Sequence, residues 1–216
     1  MDTLCSLCSL CVMVFNRYDL LVDCLRSASR GTIIPDLLYV INNGRDDGKL
    51  EQALLAWEGH ARVVYTPKVP MGVAESWNWF LDNAPDPRII TNDDVVFGVR
   101  TFEAMLSAEG LFISPLKDAA FSCFLIHDEC VKIVGRFDET ISPGYAYFED
   151  CDYFTRMRAA GVSVIQVESD TQHVGSATLK AQSPLDWEDH HRRFLLAQNN
   201  YVKKWGKLPE GRVLQR

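Results

Sequence analysis

Apolar and polar positions follow two rhythms along the chain. Short apolar runs recur at LCVMVF (10–15), LLYVI (37–41), ARVVYT (61–66) and RIIT (88–91). Each has the length of a buried strand and is bounded by polar or turn-forming residues. Between the runs, apolar positions fall at helical spacing. In YDLLVDCLRSASRG, Leu20, Leu21, Cys24, Leu25 and Ala28 share one side, and Gly31 is the stop. DGKLEQALLAWEG and GVAESWNWFLDNA repeat the pattern, ended by Gly59 and by Pro85 with Pro87. Strand–helix alternation through the first ~90 residues predicts a parallel sheet with crossover helices. Four apolar strands in a row predict burial on both faces of that sheet.

The second half is less regular. VRTFEAMLSAEG reads as a helix, and LFISP and AAFSCFLI (119–126) as strands. HDECVKIVG reads as a short helix. FEDCDYFTRMRAAG reads as a helix with an apolar face at Phe154, Met157 and Ala160. VSVIQV predicts a last strand and LDWEDHHRRFLLAQNNYVKKWG a long helical tail. With no internal repeat and no low-complexity linker, the 216 residues are expected to form one α/β domain with a mainly parallel central sheet flanked by helices.

The net charge of −7, from 29 acidic and 22 basic residues, argues against broad duplex nucleic-acid binding, which needs a basic face. No apolar run reaches 18 residues, so no membrane span is expected. The N-terminal MDTLCSLCSLCVMVFNR has neither a basic region before its apolar run nor a small-residue cleavage site, so no secretory signal is expected. The CxxCxxC of Cys5, Cys8 and Cys11 could suggest a metal centre. In a strand, however, residues three apart point to opposite faces, which favours buried structural thiols. Reduced thiols suit a cytoplasmic location.

Chemistry concentrates where the predicted strands end, the edge at which open α/β sheets bind ligands. Three polar clusters fall there: Asn16-Arg17, Asn42-Asn43 and, in IITNDDVVFG, Asn92-Asp93-Asp94. Adjacent carboxylates at a strand end are either a solvated turn or a divalent-cation site. A Mg²⁺ site typically takes one or two carboxylates and completes its shell with phosphates and water. GxGxxG and GxxxxGK[ST] are both absent, which removes the main support for a dinucleotide oxidoreductase or a P-loop enzyme. A second acidic group, Glu149, Asp150 and Asp152, opens a helix beside Tyr147, Phe148 and Tyr153. Acids in a first turn can simply complement the helix dipole. They can equally line a pocket that contains a general base.

Four segments, in order, resemble GT-A glycosyltransferases of the family 2 group: VFNRYDLLVDCLRS, INNGRDD, TNDDVVF, and FSCFLIHDECVKIVGRFDETI followed by YFEDCDYFTRMRAAG. TNDDVVF resembles the DxD-type metal motif in its NND form, as in rhamnosyltransferase-like members. The resemblance covers roughly residues 9 to 175 and implies a GT-A (Rossmann-like) fold, a nucleotide-sugar-binding half over 1–98, an acceptor and catalytic half over 99–180 and a helical tail over 181–216. It implies a metal-dependent inverting hexosyl- or deoxyhexosyltransferase that uses Mn²⁺ or Mg²⁺. By the same resemblance Asp94, His173 and Asn92 are the metal-site residues, with Asn92 standing where an acid is usual. Asp150 is the base and Glu149 its partner. Asn16, Arg17, Asn42, Asn43, Lys68, Gly72, Asn78 and Asp93 lie toward the donor, and Tyr147 and Asp152 toward the acceptor.

The sequence leaves the acceptor open among a glycan, a protein side chain, a lipid-linked sugar and a modified nucleobase. Two competing readings are a nucleotidyltransferase, which needs a glycine-rich basic loop after the first strand, and a catalytically degenerate GT-A domain that binds carbohydrate or acts as a scaffold. In the tail, His190, His191, Arg192 and Arg193 either contact phosphate or acceptor groups or form a solvated basic face. Trp205 is expected to anchor the tail.

Overall fold

The computed structural model describes residues 8–45, 48–175 and 184–209. The first half alternates as predicted: β1 (Ser9–Val14), α1 (Tyr18–Ala28), β2 (Leu37–Asn42), α2 (Lys49–Leu54), β3 (Ala61–Tyr65), α3 (Val73–Asn83) and β4 (Arg88–Asn92). The short β5 (Val95–Val96) and α4 (Thr101–Ser107) follow, then β6 (Phe112–Ser114), β7 (Cys123–Ile126), α5 (Asp128–Val134) and α6 (Glu149–Ala159). Two short strands, β8 (Ile165–Gln166) and β9 (Gln172–His173), precede the long α7 (Pro184–Trp205).

Seven strands form one sheet in the order β3-β2-β1-β4-β7-β6-β8. β1 through β4 run parallel, whereas β7 is antiparallel to both β4 and β6. β5 and β9 pair apart from it as a two-stranded ribbon.

The period of two along each strand sorts the core into two layers. Leu10, Val12, Leu38, Val40, Ile89 and Leu125 point to one face, where they meet Leu21, Cys24 and Leu25 of α1 and Leu54 of α2. Cys11, Ile41, Ile90, Phe124 and Ile126 point to the other, against Trp77 and Phe80 of α3 and Tyr153 and Met157 of α6. Cys8 and Cys11 accordingly fall in opposite layers, both buried. Cys5 lies outside the described residues. A third, smaller cluster holds Ile141 and Phe148 against Ala197 and Tyr201 of α7.

Four expectations are corrected. β3 is exposed along its whole length because it is the terminal strand of the sheet, roofed mainly where Tyr65 stacks on Trp79 at 5.0 Å. The strand expected over 119–126 is regular only from Cys123, after a single 3-10 turn at Ala120–Ser122. The one expected over 162–167 is regular only at Ile165–Gln166. On α6 the buried side carries Asp152, Tyr153 and Met157, while Phe154 and Ala160 face solvent. Tyr153 stacks on Phe137 at 4.1 Å, and that aromatic contact turns the helix away from the Phe154 side. No helix among the described residues is long and apolar enough to cross a membrane.

Candidate functional site

The parallel strands β1, β2 and β4 end at one edge, and their loops are tied together by side-chain amides. Asn16 adopts a left-handed conformation (φ 59°), and its Oδ1 accepts the Arg45 amide at 2.8 Å. Asn42 Oδ1 accepts the Gly44 amide at 3.1 Å. The Tyr18 hydroxyl lies 2.9 Å from the same oxygen and 2.7 Å from the Arg45 carbonyl. A Cβ at position 44 would stand 2.6 Å from Asn16 Oδ1 and 2.7 Å from the Tyr18 hydroxyl. Glycine is what lets the two loops close on each other. Asn43 works differently. Its Oδ1 accepts the Met71 amide at 2.9 Å and its Nδ2 donates to the Met71 carbonyl at 3.2 Å, so the side chain mimics a strand partner for the segment before α3.

Asp93 and Asp94 follow β4 and are both largely buried. Burial and the neighbouring Asp94 push the Asp93 carboxyl up to about 7, against an opposing pull from the Phe15 amide and Arg17. Arg17 is ion-paired with Asp19 at 2.8 Å, and its charge also acts on both Asp93 and Asp94. The ribbon of β5 and β9 brings His173 beside Asp94. Val95 pairs with His173, the Val174 amide donates to the Asp94 carbonyl at 3.0 Å, and His173 Nε2 lies 3.1 Å from Asp94 Oδ1. A residue almost eighty positions away in sequence thus completes a carboxylate–imidazole pair. Asn92 stands half-buried at the end of β4, its carbonyl facing the Cys24 thiol at 3.9 Å.

The carboxylate oxygen and imidazole nitrogen of Asp94 and His173, with Asp93 adjoining, are a donor set that suits a divalent cation. Among the described residues no three His, Cys, Asp or Glu side chains are grouped to hold an ion unaided. The set therefore fits a cation that draws further ligands from a bound phosphate and water. The side chain of His173 keeps 22% of its surface and that of Asp94 9%, so the pair is open on one side.

The second acidic group sits across the loop that leads into α6. Tyr147 (φ 94°) and Phe148 (φ 67°) are both left-handed, and Glu149 and Asp150 follow directly. Glu149 is buried and Asp150 half-buried. Asp150 Oδ1 accepts the Cys151 amide at 2.8 Å. This loop abuts α3. The Val73 amide donates to the Tyr145 carbonyl at 2.7 Å, and a Cβ on Gly72 would come within 2.8 Å of the Tyr145 nitrogen. An unbroken line of contacts therefore runs from Asn43 through Met71 and Gly72 to Tyr145 and the head of α6.

Four expected site residues are placed differently in this geometry. Asp152 is fully buried, and its oxygens meet Arg156 Nε and Trp205 Nε1, each at 2.9 Å, and Lys204 Nζ at 2.6 Å. Two residues along a helix are separated by about 200°, so Asp152 points away from the side that Asp150 presents. It ties α7 to α6 and has no surface left for an acceptor. Asn78 is buried, exchanging hydrogen bonds with the Phe137 backbone at 2.9 and 3.0 Å and donating to Glu139 at 2.7 Å. Lys68 is exposed beyond the outermost strand, β3. Tyr147, expected toward the acceptor, directs its hydroxyl to His190 Nε2 at 3.3 Å.

Sequence reasoning missed Tyr18, Tyr145 and the burial of His190. For His190 a signal existed: 190, 194, 197 and 201 fall at helical spacing, and His190, Ala197 and Tyr201 are buried, with Phe194 packed alongside. Tyr18 carries no comparable mark.

No protein-family model matches the sequence, and no curated protein matches it. Solved structures do. A mannosyltransferase of Pyrobaculum calidifontis, solved with GDP-Man and Mn²⁺, superposes with a TM-score of 0.62 at 14% identity over 94% of this chain. The chain spans 66% of that protein's length. Glucosyl-3-phosphoglycerate synthase of Mycobacterium tuberculosis, solved with Mn²⁺, UDP and glucosyl-3-phosphoglycerate, gives a TM-score of 0.57 at 15% identity, covering 94% of this chain and 81% of that one. The inositol-1-phosphate CTP transferase of T. maritima gives 0.53 at 10%, covering 86% and 95%. At such identities the likeness establishes architecture alone. The chain has the GT-A, Rossmann-like α/β fold.

Proposed function

We propose that this protein is a metal-dependent inverting glycosyltransferase that moves a sugar from a nucleotide-sugar donor to an acceptor hydroxyl. The observation that carries the reading is the Asp94–His173 pair, 3.1 Å apart at the ligand-binding edge of the sheet and beside a second buried acid. Two buried carboxylates stand side by side there, with Arg17 acting on both, and charges so placed call for a compensating cation. Asp94 and His173 would hold Mn²⁺ or Mg²⁺, with Asp93 and Asn92 adjoining. Bound there, the ion would neutralise a diphosphate leaving group.

The chain's own residues do the rest. Arg17 adds a fixed positive charge beside the acids. The tied loops of β1 and β2 shape the edge where the nucleotide would lie. At the head of α6, Asp150 accepts the proton of the acceptor hydroxyl. The acceptor oxygen bonds to the anomeric carbon as the bond from that carbon to the phosphate oxygen breaks, which inverts the centre and releases the nucleoside diphosphate. Holding the two reactants in line supplies a large part of such a rate enhancement, up to roughly 7–11 kcal/mol.

The catalytically degenerate domain is the second reading. One observation favours it: among the described residues the metal site has too few side chains to hold an ion unaided. A nucleotidyl transfer reading has a structural neighbour but lacks the loop that it needs. Only Phe15, Asn16 and Arg17 link β1 to α1, and none is glycine.

Thermal stabilisation by a panel of nucleotide sugars, with Mn²⁺, Mg²⁺ or chelator, tests the proposal. Binding to the native state raises stability by mass action, about 2.7 kcal/mol at a hundredfold excess over Kd. A metal-requiring shift with one nucleotide class, lost in Asp94→Ala, is the expected outcome. Folded protein that no donor stabilises would leave the degenerate domain as the reading.

A further inference from the structure

We propose that His190 of α7 is a positioning residue for the acid pair at the head of α6, and that the C-terminal helix thereby sets the acceptor side of the site. Its catalytic consequence rests on the transferase reading, but its geometry does not.

The imidazole of His190 is 8% exposed and grips two hydroxyls of one loop. Nδ1 lies 2.8 Å from the Tyr145 hydroxyl and Nε2 3.3 Å from that of Tyr147. Aromatic neighbours close around this grip. Phe194, one turn on, meets Tyr147 at 5.1 Å and Phe148 at 5.3 Å, and Tyr201 meets Phe148 at 5.7 Å. The Arg193 guanidinium lies over the Tyr145 ring at 4.9 Å. Each of the three residues held this way, Tyr145, Tyr147 and Phe148, lies within five positions of Asp150.

The grip matters because of what the loop must do. Left-handed conformations at non-glycine residues are strained and persist only where the surroundings impose them. Tyr147 and Phe148 are two such residues in succession, and the chain enters α6 straight from them. The direction of Glu149 and Asp150 therefore depends on contacts that α7 supplies. The other end of the loop is fixed from the donor side through Val73 and Tyr145. An imidazole suits the task because its two nitrogens are rigidly spaced and, when neutral, offer one donor and one acceptor. Burial, and to a lesser degree His191, keeps the proton affinity of His190 below its usual range, which favours that neutral form.

The test uses the full chain and three variants: His190→Ala, His190→Gln and Tyr147→Phe. Gln keeps one donor and one acceptor, and Phe keeps the ring while removing one hydrogen bond. Two readouts are taken where each variant is folded: hydrogen exchange by segment, and steady-state transfer with the donor that stabilises the wild type. In His190→Ala, exchange over residues 145–152 should rise at least tenfold while β1 and α3 stay protected. Transfer kcat should fall at least tenfold with the donor KM changed less than twofold, and Gln should restore part of both. Should His190→Ala fail to fold, Tyr147→Phe must show the same pattern at smaller amplitude. Unchanged exchange over 145–152 overturns the proposal, and so does a donor KM that worsens in step with kcat. A wild-type chain without transfer removes the transferase reading instead, and the exchange result then decides the clamp alone.

Discussion

The two acidic groups of this protein are held in place by different means. Asp93 and Asp94 stand where a parallel strand ends, and the sheet itself fixes their position through β1, β2 and β4. Glu149 and Asp150 begin a helix whose entrance is two left-handed residues, braced by α3 on one side and by α7 on the other. On the proposed transferase reading, the first is the donor edge, a product of topology, and the second the acceptor edge, a product of long-range side-chain contacts. Sites of the first kind tolerate change in distant parts of the chain. Sites of the second kind should fail when a remote support is cut.

The largest expected effect lies at the acceptor edge itself. Asp150→Asn should retain the fold and the metal-dependent donor stabilisation while transfer falls by about 10²–10⁴, the usual range for a lost general base. A kcat within threefold of wild type would remove Asp150 from the reaction. It would also erase the contrast between a donor edge that binds and an acceptor edge that reacts.

Next in size is the tie between α6 and α7. Asp152 is fully buried among Arg156, Lys204 and Trp205. Removing one member of a buried ion pair strands the others and costs about 3–5 kcal/mol. Asp152→Ala should therefore show that loss in urea unfolding, with a transfer defect that follows from a loosened α7. If Asp152 instead faced an acceptor, the variant would keep its stability and show only a raised acceptor KM.

Asn78 sharpens the comparison from α3. It bridges α3 to the Phe137–Glu139 segment, and its loss leaves a buried backbone amide and carbonyl without partners. About 2–3 kcal/mol of stability should go in Asn78→Ala, at the usual cost of such groups, with the donor KM unchanged within twofold. A donor KM that rises without loss of stability would return Asn78 to the nucleotide.

These assignments show what the sequence could and could not convey. β1 to β4 with α1 to α3 were legible because apolar period and breakers are local signals, and the strand-end position of Asp93 and Asp94 follows from them. The roles of Asn43 and Asn78 were not. An amide at a strand end or on a helix looks the same whether it meets a ligand or, as here, the backbone of Met71 or Phe137. Asp152 illustrates a signal that was present but outweighed. Its offset of two from Asp150 already places it on another side of the helix, yet the clustering of acids suggested a shared purpose. His190 carried a helical period with Ala197 and Tyr201, which the surrounding charges of HHRR obscured. The exposure of β3 could not be read at all, since Arg62 apart its residues match those of an interior strand.

The smallest effect expected is also a test of which half yields first in acid. Asp138 precedes the α6 loop and meets Lys204 of α7 at 2.7 Å. Partial burial pushes its carboxyl up, but hydrogen bonds from Lys204 and Thr140 outweigh that and hold it down at about 2. A folded pKa below the unfolded value of ~3.9 means that the unfolded chain takes up the proton first as pH falls. The contribution of Asp138 is therefore complete above about pH 4 and disappears as pH drops through about 2. The stability gap between wild type and Asp138→Asn should be constant above that window and close within it. Over the same interval, hydrogen exchange along α7 and residues 137–152 should rise in the wild type before that of β1 and β4. A gap that persists unchanged to pH 2, or simultaneous opening of both halves, would show that the Asp138–Lys204 pair does not set how α7 responds to acid.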